Sequence, residues 1–205
     1  LCVTFYAAVF PFLKYAPDFF FHKFGISRET AGDIASLLPF GTVVFTPIFG
    51  WLVDRVGKSA TMMIFGSAML ILVHLLFSLT TFNPYVLMII LGIAFSLVPA
   101  AMWPAVAKIV PEARIGSAYG AMFSLQNLGL FAVPILAGTI LDVTNPGVTP
   151  DLIELGSRLN YTPTMLMFVG FGIIGLIFAF LLKWDDKTSG YGLELPSNTK
   201  GEKQE

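Results

Sequence analysis

Apolar residues in this chain run in blocks of about 20, the length that carries a helix across ~30 Å of hydrocarbon. Six such blocks follow one another, at about 1–21, 33–53, 60–80, 84–107, 117–141 and 163–183, and no further block is left over. A segment exposed to lipid must satisfy its own backbone, so each block is expected to be a helix. Alternating segments of ~10 residues, the signature of a membrane β-barrel, do not occur. The pattern therefore predicts an all-α transmembrane protein built as one six-helix bundle over residues 1–184. Within the longest connection, Thr144 to Tyr161, the run Pro150 to Leu155 is expected to form a short interfacial helix. Residues 185–205 are polar, with Gly, Ser, Pro and Glu, and are expected to be a cytoplasmic tail without fixed structure.

Composition sharpens this picture. Only 12% of residues are charged and 56% are hydrophobic, whereas a soluble domain has about a quarter charged. A net charge of −1 offers no basic surface for nucleic acid. Cys2 stands alone, which excludes an internal disulfide and a thiolate metal cluster within this sequence. His22 and His74 are isolated, and no H-E-x-x-H or other metal spacing occurs. There is no G-x-S-x-G and no nucleotide-binding loop. No enzyme, no metal and no cofactor are expected, and ATP-driven transport by this chain is disfavoured.

Lys and Arg set the expected orientation. Arg55, Lys58, Lys108, Arg114, Lys183, Lys187, Lys200 and Lys203 fall on one side of the predicted bundle; Lys23, Arg28 and Arg158 fall on the other. This excess places the 54–58 loop and both chain ends on the cytoplasmic side.

The 50–58 segment, Gly50-Trp51-Leu52-Val53-Asp54-Arg55-Val56-Gly57-Lys58, carries three charges between two apolar blocks. The pattern G-x-L-x-D-R-x-G-K resembles the signature loop of the major facilitator superfamily of transporters. Further stretches resemble the lysosomal dipeptide transporter branch of that family: Ala8 to Phe12, Lys23-Phe24-Gly25, Phe49 to Asp54, Trp103 to Ala107, Val110-Pro111-Glu112, Gly116 to Gly120 and Gln126 to Leu130. The segment Leu13 to Asp18 departs from the branch's animal members in its charges, so the resemblance implies a solute class rather than a solute. It implies a twelve-helix fold of two six-helix halves, this chain being the C-terminal half and its N-terminal half a missing partner. It also implies contact with membrane lipid and a small polar solute, and an accessory membrane glycoprotein if the chain is a lysosomal relative. The membrane would be a bacterial inner membrane or a lysosomal one.

Candidate transport residues follow from cost. Charges inside a membrane are expensive and face a cavity or a partner. Lys14 and Asp18 share a face of the first helix at i and i+4. Lys14 meets a solute carboxylate, or the two form a salt bridge; Asp18 otherwise meets a solute amine or closes a gate. Pro11 and Pro17 interrupt this helix and permit bending. Tyr6 and Phe10 precede Lys14 at four-residue spacing and supply an aromatic wall or plain packing. Gln126 and Asn127 either bind a peptide-like solute at the depth of Lys14 or tie helices together. Trp103 gates the inner mouth or anchors at the interface. Asp54, Arg55 and Lys58 are expected to control conformation rather than touch solute. Asp33 reads as the cap of the second helix, and His74 as a packed histidine. The leading function is secondary transport by alternating access, with a dipeptide as one solute class; the alternative is a non-transporting accessory membrane module.

Overall fold

The computed structural model of the chain describes residues 1–196. Six long helices carry it: α1 Cys2–Phe24, α2 Arg28–Val56, α3 Ser59–Leu79, α4 Pro84–Ile109, α5 Ile115–Thr144 and, after the short α6 Pro150–Glu154, α7 Thr162–Ser189. No strand occurs among the described residues. Five of the long helices are long and apolar enough to cross a membrane. The sixth, α1, carries Lys14, Asp18, His22 and Lys23 in its C-terminal half.

Local chemistry explains the helix ends. Gly25 turns left-handed (φ 66°) and returns its N–H to the Phe21 carbonyl, which stops α1. Ser27 then accepts the Thr30 N–H at 3.2 Å, so α2 starts at Arg28 and not at Asp33. Asp33 lies inside the helix, because a serine followed by Arg28-Glu29-Thr30 is already a complete start signal. Asn83 caps α4 through the Tyr85 N–H, with Pro84 in the first turn. The helix α7 continues past Lys183 to Ser189 and ends at Gly190, again left-handed. Pro11 and Pro17 both lie within a continuous α1.

The helix α1 lies against α2, α5 and α7, while α3 fits between α4 and α7, and α2 packs on α4. The core is aromatic. Phe12 meets His74 at 5.1 Å, Phe77 at 5.4 Å and Phe168 at 6.2 Å between ring centroids. In lipid, such packing and close backbone approach hold helices together, since burial from water is not available as a drive. The α2–α4 crossing shows the second device. A Cβ on Gly41 would stand 3.5 Å from the Gly92 Cα, and one on Gly92 would stand 3.6 Å from the Leu38 carbonyl oxygen. His74 Nδ1 donates to the Leu70 carbonyl one turn back, at 2.9 Å, as expected of a packed histidine.

Two contacts give the register of α1 on α5. Cys2 meets Gln126, and the Tyr15 hydroxyl donates to the Pro134 carbonyl at 3.0 Å. Both sets of numbers increase together, so the two helices run in parallel. The outward faces of α2 and α5 are apolar and uncovered: Phe40, Val43, Leu128 and Phe131 are all largely exposed.

Candidate functional site

Midway along α1, Lys14 projects from the bundle, one turn beyond the half-exposed Phe10. The salt bridge with Asp18, one of the two alternatives for Lys14, does not form. Both oxygens of Asp18 are engaged elsewhere: Arg28 Nη1 donates to Oδ1 at 2.8 Å, and the Tyr161 hydroxyl donates to Oδ2 at 2.5 Å. The i, i+4 relation puts Lys14 and Asp18 on one face, but α2 and the residue before α7 bring donors to the carboxylate from the side. A planar guanidinium and a phenol then satisfy it in directions that a lysine chain does not. His22 completes this group. Its Nδ1 accepts the Leu159 N–H at 3.1 Å, so Nε2 carries the proton and lies 3.4 Å from Asp18 Oδ2. Burial pushes the Tyr161 phenol above its ordinary pKa, and its hydrogen bond to Asp18 pushes it further.

Tyr6 is buried behind Phe10, with the rings 5.6 Å apart and 15° from parallel. Its hydroxyl accepts the Trp103 Nε1–H at 3.1 Å. Trp103 stacks on Phe123 at 4.7 Å, and the Tyr119 hydroxyl donates to its carbonyl at 2.9 Å. This aromatic joint ties α1, α4 and α5. Phe123 carries no charge and no motif spacing that would have marked it in the sequence, and Tyr119 lies in the Gly116 to Gly120 stretch without a feature that shows its contact.

The amide pair divides. Gln126 is buried, and its Oε1 accepts from the Cys2 thiol at 3.4 Å. Asn127 is exposed, with its Nδ2 donating to the Phe123 carbonyl at 2.8 Å. The matched depth with Lys14 does not hold. Cys2 lies twelve residues before Lys14 on α1, about 18 Å along the axis at 1.5 Å per residue. Gln126 bonds across from α5 to α1.

Asp54, Arg55 and Lys58 are exposed at the α2–α3 turn, with the Arg55 guanidinium 5.2 Å from the Trp51 ring. The expected unstructured tail is corrected over its first part. Residues 185–189 belong to α7, and residues 190–196 lie against this turn. Ser59 N–H donates to the Leu193 carbonyl at 2.9 Å, and Lys58 N–H to the Glu194 carbonyl at 3.2 Å. The Glu194 carboxylate accepts Thr61 N–H at 2.9 Å and the Thr61 hydroxyl at 2.6 Å. Leu193 is fully buried, and its N–H donates to Asp186 Oδ1 at 2.9 Å. Leu193 and Leu195 on either side of Glu194, after Gly190 and Gly192, were the available signal; the surrounding polarity hid it. The rest of the expected tail, residues 197–205, lies outside the described residues.

The mouse lysosomal dipeptide transporter MFSD1 is 43% identical over 142 residues, which is 69% of this chain and 31% of that protein. The human protein of that name is 42% identical over the same length. The zebrafish one is 40% identical over 143 residues, covering 70% of this chain and 31% of the relative. The chain thus spans about a third of the length of these curated relatives. In three dimensions it is similar to the peptide transporter POT (E310Q mutant) in complex with alafosfalin. The TM-score is 0.69 at 17% identity, over 95% of this chain and 39% of that one; a likeness at that identity shows a shared fold. The Major Facilitator Superfamily description matches residues 1–195, a span that takes in every helix and the 190–195 segment seated on the signature turn. This chain is a multi-pass membrane protein of the major facilitator superfamily.

Proposed function

We propose that this chain forms one six-helix half, the C-terminal one, of a secondary transporter that moves a small zwitterionic solute of the dipeptide class by alternating access. Lys14 carries this reading. It is an exposed cation midway along α1, which would cross the membrane beside its five apolar neighbours, and the nearest acid on its own helix face is already held by Arg28 and Tyr161. A charge at that depth is costly unless a cavity or a partner meets it. A solute carboxylate fits. Phe10, backed by Tyr6 and Trp103, supplies an apolar wall one turn away. The names of the relatives, which are dipeptide and peptide transporters, support the solute class.

The test is binding of a dipeptide to the purified full-length transporter. Lys14→Ala is expected to weaken binding by about 10- to 150-fold, the worth of one hydrogen bond to a charged group. Lys14→Arg should retain most of the affinity. Because Asp18 has its own partners, the single change leaves no carboxylate of this helix face unpaired. Parent-like binding by Lys14→Ala overturns the assignment. For the signature turn, Asp54→Asn is expected to lower turnover and spare binding, since Asp54 lies at a helix end.

A further inference from the structure

We propose that Gly190 to Pro196 is a strap that holds the signature turn to the ends of α4 and α7, and that Glu194 is the residue positioning that turn. This rests on the reading that the turn controls turnover in a transporter.

The N-terminus of α3 is built without a cap of its own. Lys58 stands at the N-cap position with φ 58°, the only positive φ at a non-glycine among the described residues, and its side chain makes no cap. The first turn of any helix leaves backbone N–H groups without intrahelical partners. Here the strap supplies the acceptors from 133 to 136 residues away: Lys58 and Ser59 N–H donate to strap carbonyls, and Thr61 N–H to the Glu194 carboxylate. A carboxylate at that place also faces the positive end of the helix dipole. Capping is normally local; on this chain it is long-range, so anything that moves the strap uncaps the turn.

The signature itself is shaped to receive the strap. Gly57 adopts φ 72° and ψ −134°, and a Cβ there would stand 2.4 Å from the Leu195 carbonyl carbon. The strap backbone therefore occupies the space that any side chain at position 57 would need. Two lysines and an acid bind the other side. Lys108, in the last turn of α4, donates to the Gly192 carbonyl at 3.1 Å and the Leu195 carbonyl at 2.6 Å. Lys183 on α7 donates to the Thr61 hydroxyl at 2.6 Å and lies 3.7 Å from Glu194 Oε2. Asp186 on α7 takes the Leu193 N–H. The three helix ends thus share one seven-residue segment, and the turn moves with α4 and α7 while the strap is seated.

The experiment uses the full-length transporter and two readouts, amide hydrogen exchange across Lys58 to Thr61 and solute turnover beside equilibrium solute binding. Glu194→Ala is expected to speed exchange by about tenfold, within the range of a lost helix cap, and to lower turnover with affinity unchanged. Gly57→Ala pushes on the strap from the opposite side and leaves the carboxylate in place; it should do the same. Glu194→Gln, which keeps the shape, should fall between. Unchanged exchange in Glu194→Ala overturns the strap. Faster exchange with parental turnover overturns the positioning role, and equal losses of affinity and turnover overturn it as well. A failure of Lys14→Ala to weaken binding would strike the solute site alone, so the two readings fall separately.

Discussion

Each end of the bundle has a carboxylate that joins several elements, Asp18 at one and Glu194 at the other, and the two are held differently. At the end near Phe24, Asp18 receives side chains: a guanidinium from α2, a phenol from the residue before α7, and a nearby imidazole. At the signature-turn end, Glu194 receives a backbone N–H and a hydroxyl of one residue, with a lysine beside them. A side-chain clasp can be dismantled by substitution, one donor at a time. A backbone clasp survives substitution of its donors and yields only to loss of the acceptor or to a change of chain geometry. The first is therefore tuned donor by donor, and the second chiefly through its acceptor.

Thermal unfolding of the full-length protein, read with amide exchange at both ends, can break or sharpen this contrast. The largest effect is expected from Asp18→Ala. It strands Arg28 and Tyr161, and with Asp18 one-third exposed the loss should be about 3 kcal/mol, below the plain sum of its two charge-assisted bonds. Exchange at Lys58 to Thr61 should not change; if it does, the ends are coupled and the contrast fails. Gly57→Ala comes next, at about 2 kcal/mol, from a strained backbone and a displaced strap. Tyr161→Phe should cost about 1 kcal/mol and should flatten an alkaline slope. The folded-state phenol titrates above its unfolded value. The parent therefore holds its full stability below about pH 10 and loses it as pH rises beyond that. A parent whose stability stays level to high pH would show that the phenol is free to ionise. Arg28→Ala should be smallest, about 0.5 kcal/mol, because its side chain is 60% exposed and exposed pairs contribute little.

What could be seen in the sequence was what one helix or one loop decides alone. The third block, expected at 60–80, is Ser59–Leu79 in the structure, and the short helix expected from Pro150 is Pro150–Glu154. Both are set by local apolar length and local punctuation. What was hidden depends on how helices slide past one another. No periodicity tells that Gln126 lies level with Cys2, because a parallel pair in lipid can be offset by any number of turns. The Asp18 partners, Arg28 and Tyr161, are 10 and 143 residues away and come from two other elements. The strap was masked by its composition: two glycines, an acid and a proline read as loop, and of its apolar residues Tyr191, Leu193 and Leu195 only Leu193 is fully buried.

The glycine contact between α2 and α4 has a mechanical meaning. Where Gly41 meets Gly92, the two backbones come together with no side chain between them, so a small tilt about that point meets little steric resistance there. It is a bearing. From Gly41 to Val56 the helix α2 runs 15 residues, a lever arm of about 22 Å. A tilt of roughly 10° about that bearing carries the far end through about 4 Å, more than the reach of one hydrogen bond. A modest rocking of α2 is therefore enough to lift the signature turn off its clasp or to set it back.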